Sequence, residues 1–533
     1  MLKLNFPVLL ALATVSGCLW FLAVTPFDLS LLAWFAAVPG LVAIERAPTW
    51  RQALFLGWWA GVVETAGGFY WLIDVMQRFA DFPWMGAALV FLLFCAARAL
   101  IFLLFAAILR GVRARRAVPM ALLAPLAMVV SELVVPQIFP CGQWISQAWQ
   151  PAVIQIAEIT GPFGVTALLM MINGALYDLI VHAPRARGIA LGAAAILAAA
   201  LAFGAVRMRQ IDAEAARAPK LEVGLVQPNF AYTIDGTFSG QEALRQLAAL
   251  QSQSRRLEQS GAELVVWSEG SYPIGLPRDF VADFSRESPA MIRRGLTQPT
   301  LIGAIMIGPH DDAYNSALLL DTAGREVARY DKVRLLAFGE YVPGVETFPW
   351  LRKFLPEGAG RFTAGAAPAL MTLHDHGGNE WKLGPLICYE DILQDYVRHV
   401  GALQPNVLVN LTSDSWFGAT AEPWEHLALS VFASVELRVG MVRAVNSGVS
   451  ALIDPNGRVV RKTYADDPYR NPRAEDGMVV SVPRMPASRT MYDAVGNLFA
   501  YLCAGATLVL LIVSIRTRPA RSPHADPRGS SPR

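Results

Sequence analysis

The chain has 533 residues, of which 54% are hydrophobic and 17% are charged, and its formal net charge is +2. Soluble globular chains carry about a quarter charged residues, so this composition argues against a soluble protein and indicates a membrane protein. The nearly neutral charge argues against an acidic partner or a nucleic acid. The five cysteines have no CxxC spacing, which argues against a zinc site or a disulfide framework.

Long apolar runs occupy most of residues 1–210 and recur near the carboxyl terminus. Each is close to the ~20 residues that a helix needs to cross the hydrocarbon layer. The first run alone fits a secretory signal with Lys3 as its basic flank, but six further runs follow directly and favour anchoring. We therefore predict eight spans, seven of them within residues 1–210. The runs lie at 7–25, 27–44, 52–73, 86–109, 119–136, 162–181, 187–206 and 495–515.

The distribution of lysine and arginine predicts the orientation, because these residues are retained on the cytoplasmic side of a membrane. With the amino terminus inside, the short outer loops offer only Arg78, and the outer loop 137–160 has no basic residue. Both termini are then cytoplasmic, and residues 220–485 lie outside, in the periplasm of a Gram-negative cell. Residues 516–533 are rich in Pro, Arg and Ser, and we expect a disordered cytoplasmic tail.

Residues 220–485 contain short apolar or β-branched runs bounded by Gly, Pro, Asn and Asp, which predict strands. The segments 238–258 and 424–445 have helical periodicity with polar faces, and DPNG at 454–457 predicts a hairpin turn. Strands that alternate with helices indicate a layered α/β domain. The predicted strands are LEVGLVQ, ELVVWSE, TLIGAIMI, SALLLD, LGPLIC and NVLVNLT.

Polar side chains that follow apolar strands form the candidate site. LVVWSEG contains Glu269, RYDKVRLLAFGEYVP contains Lys332 and Glu340, and LICYED contains Cys388. Strand carboxyl ends are where open α/β folds place their sites, so we expect these side chains to converge. A carboxylate can take the proton of a thiol, and an ammonium can stabilise the thiolate and an oxyanion. The set suits acyl transfer through a thioester and needs neither a metal ion nor a cofactor.

Each of these residues also has a plain structural interpretation. Cysteine is among the most buried residue types, so Cys388 taken alone is more often strand filling than a nucleophile. A disulfide with Cys141, the other cysteine on the outer side, is a further alternative. Considered alone, Lys332 would be interpreted as a solvated surface lysine, and Glu269 as a residue that caps the end of a strand. The catalytic hypothesis depends on all three occurring in this order after apolar strands.

Three motifs of the sequence resemble the signature blocks of the nitrilase superfamily: WSEGSYP, YDKVRLLAFGEYVP and LICYEDI. Together with LTSDSWFG at 411–418, GFYWL at 68–72 and the predicted spans, the chain resembles the apolipoprotein N-acyltransferase family over nearly its whole length. The resemblance implies an αββα sandwich beside a multi-pass helical bundle, in the inner membrane of a bacterium. We expect a monomer.

The resemblance also implies a two-step reaction. Cys388 would attack the sn-1 ester of a phospholipid, typically phosphatidylethanolamine, and keep the acyl chain as a thioester. The α-amine of the diacylglyceryl cysteine of an apolipoprotein would then take the chain. Glu269 would be the base in both steps, Lys332 the electrophilic clamp, and Glu340 the residue that orients Lys332. The supporting positions implied are Asn315, Tyr389 and Glu390, and the backbone N–H of Tyr389 suits a second oxyanion donor.

The chain departs from the family pattern at three places. Ser268 stands where the family usually has proline before the glutamate, and Tyr232 is the nearest aromatic residue where a tryptophan often follows LVQPN. The outer loop 136–150 is only loosely similar. These departures concern substrate gating rather than the chemistry.

Apolar residues next to Arg and Lys in segment 345–356 suit a position at the level of the lipid headgroups. We expect mobile lids here that admit lipid from the side, although packing of these aromatics into the domain core is the alternative. The expected lid residues are Trp350, Phe354, Leu355, Trp416 and Phe417.

Two carboxylates, Glu132 and Glu158, lie at or near membrane depth, where a charge is costly. Arg98, within the fourth predicted span, is the candidate partner.

Two rival functions remain open at this point. A membrane-tethered amidase would use the same thioester chemistry with water as the acceptor, but the spans would then be unexplained. A transporter with a periplasmic binding domain is the second, and the absence of an inverted repeat or paired broken helices in the sequence argues against it.

Overall fold

A computed structural model describes residues 4–79, 82–230, 240–310, 312–341, 343–344, 347–348, 350, 362–463, 477–486 and 490–516. The α-helices are α1 (Phe6–Leu22), α2 (Ala37–Arg46), α3 (Trp50–Gly68), α4 (Leu72–Phe79), α5 (Trp84–Arg98), α6 (Leu100–Arg113), α7 (Met120–Val134), α8 (Pro151–Ile154), α9 (Ala157–Thr160), α10 (Phe163–Arg217), α11 (Gly240–Gln259), α12 (Gln394–Gly401), α13 (Glu422–Leu437), α14 (Met491–Val495) and α15 (Leu498–Arg516). The strands are β1 (Lys220–Leu225), β2 (Leu264–Val266), β3 (Leu276–Pro277), β4 (Thr300–Ile307), β5 (Ala313–Leu320), β6 (Glu326–Asp331), β7 (Met371–His374), β8 (Glu380–Ile387), β9 (Val407–Thr412), β10 (Gly440–Val445), β11 (Ala451–Ile453), β12 (Val459–Lys462) and β13 (Met478–Pro483).

Four helical stretches within the described ranges are long and apolar enough to cross a membrane. Two other predicted spans coincide with shorter helices. The run 7–25 overlaps α1, which has 17 residues, and the run 119–136 overlaps α7, which has 15. The run 27–44 does not form one helix, since a 3-10 segment at Ser30–Trp34 precedes the ten-residue α2. The count of eight spans is therefore not confirmed and stays a prediction. The four stretches are Trp84–Arg113, Phe163–Val181, Ala186–Arg217 and Leu498–Ile515.

The chain reverses direction within the residue range of α10, between the stretches Phe163–Val181 and Ala186–Arg217. Glu158, just before α10 begins, forms an ion pair of 2.8 Å with Arg207 near its far end. Ile172 and Leu201 line one apolar cavity. A straight helix would separate positions 163 and 207 by roughly 66 Å at about 1.5 Å per residue. The two arms of α10 are therefore antiparallel, as predicted for the runs 162–181 and 187–206.

Two sheets form the α/β domain. The first has the order β13-β1-β2-β4-β5-β6 with β3 beside β4, and the second has the order β12-β11-β10-β9-β8-β7. Parallel pairs lie at the centre of each sheet, where β2 joins β1 and β4, and β9 joins β8 and β10. All six residues of β9 are buried, which is typical of a strand covered on both faces. Helix α11 contacts β1 and β2 of the first sheet, and Val400 of α12 lies against Gly384 of the second.

The predicted elements of this domain compare well with the structure. All six predicted strands are present, and the helix predicted at 238–258 is α11. The hairpin turn DPNG is also confirmed, because the Asp454 carboxylate accepts the N–H groups of Asn456 and Arg458 at 2.9 Å each. The helix predicted over 424–445 is wrong in its second part. Helix α13 ends at Leu437, and the β-branched run MVRAV continues as β10, which pairs with β9.

Helices α1–α10 and α15 form a bundle beside the α/β domain. A buried ion pair joins this bundle to the α/β domain. Arg438, which is 1% exposed, donates from Nη2 to Glu158 Oε2 at 2.6 Å and from Nη1 to Gln155 Oε1 at 2.6 Å. Arg438 ends α13 in a left-handed conformation with φ 56°, which aims its side chain at the short helices α8 and α9. The position of the sheet domain on the bundle is therefore fixed by specific polar contacts as well as by apolar packing.

The predicted pairing of Arg98 with Glu132 or Glu158 is wrong. Arg98 pairs with Glu64 at 3.0 Å, and Glu132 accepts the Gln143 N–H at 2.7 Å. The partners of Glu158 come from the end of α10 and from the α/β domain, which apolar runs in a sequence cannot indicate.

Replacing Arg438 by leucine should lower the free energy of unfolding by about 3 kcal/mol, because breaking a buried pair leaves a carboxylate poorly compensated. Thermal unfolding in detergent, followed by circular dichroism, measures the effect. Arg245→Leu is the matched control, since its pair with Glu242 at 3.3 Å is on the surface, where such pairs contribute about 0–1 kcal/mol. Equal midpoints for the two variants would contradict this assignment.

Candidate active site

The predicted nucleophile sits on a sharp turn directly after β8. Cys388 has φ 54°, in the left-handed region that residues other than glycine rarely occupy. Neighbouring contacts hold this strained turn: Asn410 Nδ2 donates to the Cys388 carbonyl at 3.0 Å, and the Ile387 N–H donates to Glu390 Oε2 at 2.8 Å. Such strain persists where the surroundings over-determine it, and it clusters at functional sites. At this turn the Cys388 residue as a whole is half-buried.

Four of the predicted polar residues form one buried cluster. Lys332 Nζ lies 2.8 Å from Glu340 Oε2 and 3.4 Å from Glu269 Oε1. Asn315 Nδ2 donates to the same two carboxylates, at 2.7 Å to Glu269 and 3.1 Å to Glu340. The Lys332 side chain is 1% exposed, so its charge is balanced by these carboxylates rather than by bulk solvent. The interpretation of Lys332 as a solvated lysine is therefore wrong.

The electrostatic environment favours a charged lysine and a protonated thiol. Burial opposes the charge on Lys332, but Glu340, Cys388 and Glu269 together raise the pKa of its ammonium well above the usual value. Burial and the Glu269 carboxylate raise the pKa of the Cys388 thiol, while Lys332 lowers it. The pKa of Glu269 is itself raised, first by burial. A thiol of this kind is protonated at neutral pH and needs a base, and Glu269 has the increased proton affinity that a base requires.

Glu390 connects the turn at Cys388 to the segment after β6. Its Oε1 accepts the N–H groups of Val333 and Arg334 at 2.8 and 2.9 Å, and the Tyr330 hydroxyl donates to it at 2.7 Å. Burial raises the pKa of Glu390 to about 7. Glu390 thus links the backbone beside Lys332 to the backbone beside Cys388.

A cavity lies between the α/β domain and the bundle, and Cys388 is one of its lining residues. Tyr389, which also lines it, donates its hydroxyl to the Ile138 carbonyl at 2.9 Å, so the loosely similar loop 136–150 forms part of the site. Cys141 lines the cavity as well, and both cysteines are free, so the disulfide alternative is wrong for this structure. The other apolar lining residues include Phe69, Trp71, Phe139, Leu336, Phe417 and Leu429.

The predicted lid residues have different surroundings. Trp350 is 57% exposed and lies edge-on to Phe348, with ring centroids 6.5 Å apart. Phe417 is 8% exposed and packs edge-on against Trp71 at 5.3 Å, so it forms part of the wall of the cavity. Trp416 is partly buried beside it. The other two predicted lid residues, Phe354 and Leu355, lie outside the described residues.

The sequence did not indicate several groups at the site. The Ser413 N–H donates to Glu269 Oε2 at 3.1 Å, and the Trp71 indole donates to the Glu425 carboxylate at 3.0 Å. Ser413 directly follows β9 within the word LTSDSWFG, so its place at a strand end was an available signal. The Trp71–Glu425 contact joins the bundle to α13, and nothing in the sequence indicates it. In the part of the chain that the structure describes, no group of three or more His, Cys, Asp or Glu side chains could hold a metal ion.

Comparison with known proteins identifies two matched regions. Residues 16–175 match the family model of the apolipoprotein N-acyltransferase N-terminal domain, and residues 222–467 match the carbon-nitrogen hydrolase model. Together the two matches include the bundle residues that line the cavity and all of the clustered polar residues.

Relatives with one name align over most of the chain. The chain is 28% identical over 533 residues to apolipoprotein N-acyltransferase from Geobacter metallireducens, with 95% of each chain covered. It is 31% identical over 471 residues to the protein of that name from Allorhizobium ampelinum, with 84% of this chain and 86% of the relative covered. An amidase from Nesterenkonia aligns in structure at 17% identity and a TM-score of 0.34, covering 53% of this chain and 95% of the amidase. The chain belongs to the apolipoprotein N-acyltransferase family.

Proposed function

We propose that this protein acylates the N-terminal amine of diacylglyceryl apolipoproteins, with a phospholipid as the acyl donor and Cys388 as the acyl carrier. The observation that carries the proposal is the position of Cys388. It borders the buried cluster of Glu269, Lys332 and Glu340 on one side and a cavity walled by bundle residues on the other. A site for a soluble amide would not need walls from membrane helices, so this geometry favours the acyltransferase over the amidase. Charged groups clustered at a strained cysteine favour either enzyme over a transporter.

The first half-reaction forms the thioester. The Cys388 Sγ–H proton passes to the Glu269 carboxylate as the sulfur attacks the sn-1 ester carbonyl of the phospholipid. The Lys332 ammonium and the Tyr389 N–H stabilise the oxyanion, in the way that preorganised donors lower such barriers. The protonated Glu269 then gives its proton to the departing alkoxide. A lysophospholipid leaves, and the acyl chain remains on the sulfur.

The second half-reaction transfers the chain to nitrogen. The neutral α-amine of the diacylglyceryl cysteine attacks the thioester carbon and loses a proton to Glu269. The carbon–sulfur bond breaks, the thiolate leaves, and Cys388 takes the proton back from Glu269. Asn315 and the Ser413 N–H, which donate to Glu269, keep the carboxyl oriented through both steps, and Glu340 keeps Lys332 in place.

The cavity gives the acyl chain a route between membrane and thiol. Its lining is mainly aromatic and aliphatic, as is usual for sites that bury lipid-like ligands. In this proposal residues 1–210 and 495–515 are the membrane-spanning parts, 220–485 is the periplasmic catalytic domain, and the exposed Trp350 belongs to a lid at the headgroup level. The donor class includes phosphatidylethanolamine, and the enzyme acts as a monomer in the bacterial inner membrane.

Cys388→Ala is expected to abolish labelling of the protein by phosphatidylethanolamine with a fluorescent sn-1 acyl chain. The wild-type protein should take up the label, release lysophosphatidylethanolamine and lose the label in neutral hydroxylamine, because a thioester is cleaved by that nucleophile. In-gel fluorescence and mass spectrometry of the lipid products measure both. Cys18→Ala is the matched control and should label normally, because Cys18 lies within α1 and does not line the cavity. Label on Cys388→Ala, or release of the label as free fatty acid despite added acceptor peptide, would contradict the proposal.

Lys332→Met should slow acyl-enzyme formation by about 10²–10³-fold, because it removes a charged donor to the developing oxyanion. Single-turnover labelling with the same lipid gives the rate. Lys382→Met is the control, since Lys382 is on the surface with a side chain 45% exposed. A rate for Lys332→Met within about twofold of the control would exclude the electrophilic role.

Trp350→Ser tests the lid. The phospholipid concentration for half-maximal labelling should rise by about fivefold, equivalent to ~1 kcal/mol of lost apolar burial against lipid, with the thermal midpoint unchanged. Val460→Ser provides the comparison, because Val460 is 60% exposed on a strand remote from the predicted lid. If both variants show wild-type kinetics, Trp350 does not contact the lipid.

A further inference from the structure

Thr412 is the cross-strand neighbour of the nucleophile. Strands β8 and β9 are parallel, with Ile387 paired to Leu411, so the next residues on the two strands, Cys388 and Thr412, are adjacent. Asn410, two residues before Thr412 and therefore on the same face of β9, donates to the Cys388 carbonyl at 3.0 Å. Thr412 is fully buried. Burial raises the pKa of the Cys388 thiol, whereas the nearby Thr412 hydroxyl acts in the opposite direction and lowers it.

The Thr412 hydroxyl has a second acceptor in reach. Its Oγ1 lies 3.4 Å from Asp414 Oδ1, which is a long distance for a hydrogen bond between oxygens. A hydroxyl has only one proton to donate, so a bond to Asp414 and a bond to the thiolate exclude each other. When the Thr412 hydroxyl donates to Asp414, it therefore cannot stabilise the Cys388 thiolate.

His426 provides a hydrogen bond to Asp414 Oδ1, the same oxygen that the Thr412 hydroxyl can reach. Its Nδ1 lies 3.0 Å from Asp414 Oδ1, and its Nε2 lies 3.0 Å from Asp391 Oδ1. Burial and the nearby Arg443 guanidinium oppose a charge on His426, yet the two carboxylates raise the pKa of its imidazole to about 10. Both ring nitrogens therefore carry protons at neutral pH, and each donates to a carboxylate.

The far side of His426 is anchored to the turn of the nucleophile itself. Asp391 belongs to the same 3-10 turn as Cys388 and also accepts from Ser430 Oγ at 2.8 Å and from Arg443. His426 thus bridges the turn after β8 to the turn after β9, which carries Asp414. This bridge shares no residue with the cluster of Glu269, Lys332 and Glu340. His426 and Ser430 belong to α13, and Arg443 belongs to β10 of the second sheet.

We propose that Thr412 is a further catalytic residue, whose hydroxyl turns from Asp414 to the Cys388 sulfur when the thiolate forms, and that His426 is the positioning residue that leaves this hydroxyl free. The inference rests on the proposed nucleophilic role of Cys388. No proton leaves Thr412 in the step. The thiol proton goes to Glu269, the threonine O–H rotates to donate to the thiolate, and it rotates back when the sulfur is acylated.

Alkylation of Cys388 by iodoacetamide tests the proposal without any lipid substrate. The full-length protein in detergent is treated between pH 6 and 10, and the rate at the Cys388 peptide is followed by mass spectrometry. Thr412→Val should lower the rate about three- to tenfold at each pH below the thiol pKa, because a hydrogen bond to a charged group is lost. This displaces the pH profile toward alkaline values. Thr412→Ser retains the hydroxyl and should restore the wild-type profile.

A matched control and a double variant complete the test. Thr463→Val removes another buried threonine hydroxyl, bonded to Gln227, and should leave the alkylation profile unchanged. His426→Ala should slow alkylation in the wild-type background but add little in the Thr412→Val background, since its effect acts through that hydroxyl. A wild-type profile for Thr412→Val, no rescue by serine, or full additivity of the two changes would overturn the proposal. Retained acyl transfer in Cys388→Ala would instead overturn the proposed function, which separates the two failures.

Discussion

The burial of one ammonium group between two carboxylates is the constraint on which the rest of the site depends. A lysine that is 1% exposed is costly unless its charge is compensated, and here Glu340 and Glu269 lie 2.8 and 3.4 Å from its Nζ. The same burial raises the pKa of Glu269, the Lys332 ammonium opposes this rise, and the Glu340 carboxylate adds to it. Charge balance and catalytic readiness therefore have one physical origin. Asn315, which donates to both carboxylates, prevents either of them from rotating away.

The second feature of the molecule is the closeness of this polar cluster to apolar walls contributed by the bundle. Phe69 and Trp71 follow α3, whereas Phe417 follows β9, and all three line the cavity at Cys388. The Trp71 indole and the Tyr389 hydroxyl make polar contacts across the same boundary, and Arg438 fixes the opposite side through Glu158. A domain held at several points keeps Cys388 at a constant distance from these apolar walls, and the proposed attack on a lipid ester would require such fixed positioning.

Much of the α/β domain could be predicted because its signals are local. Short apolar or β-branched runs bounded by Gly, Pro, Asn and Asp indicated six of the strands, including β2, β8 and β9, and DPNG specified its turn. The motifs around Glu269, Lys332 and Cys388 were recognisable because each of these residues lies at or shortly after the end of a strand. The prediction of a helix through 424–445 failed because MVRAV is apolar enough for either structure, and its pairing with β9 decides the outcome. The pairing of Arg98 failed because its true partner, Glu64, lies on α3, and helix packing rather than membrane depth brings them together.

The residue types and their order indicated a membrane protein with an α/β domain between apolar segments, and they singled out the candidate nucleophile, base and cation. These depend on composition and on periodicities of two to four residues, which a linear chain records. The left-handed turn at Cys388, the four donors that surround Glu390, the cavity between two halves of the molecule and the bridge through His426 depend on contacts between residues far apart in the chain. Their geometry is set by how the two sheets and the helices pack, so only the folded molecule reveals them.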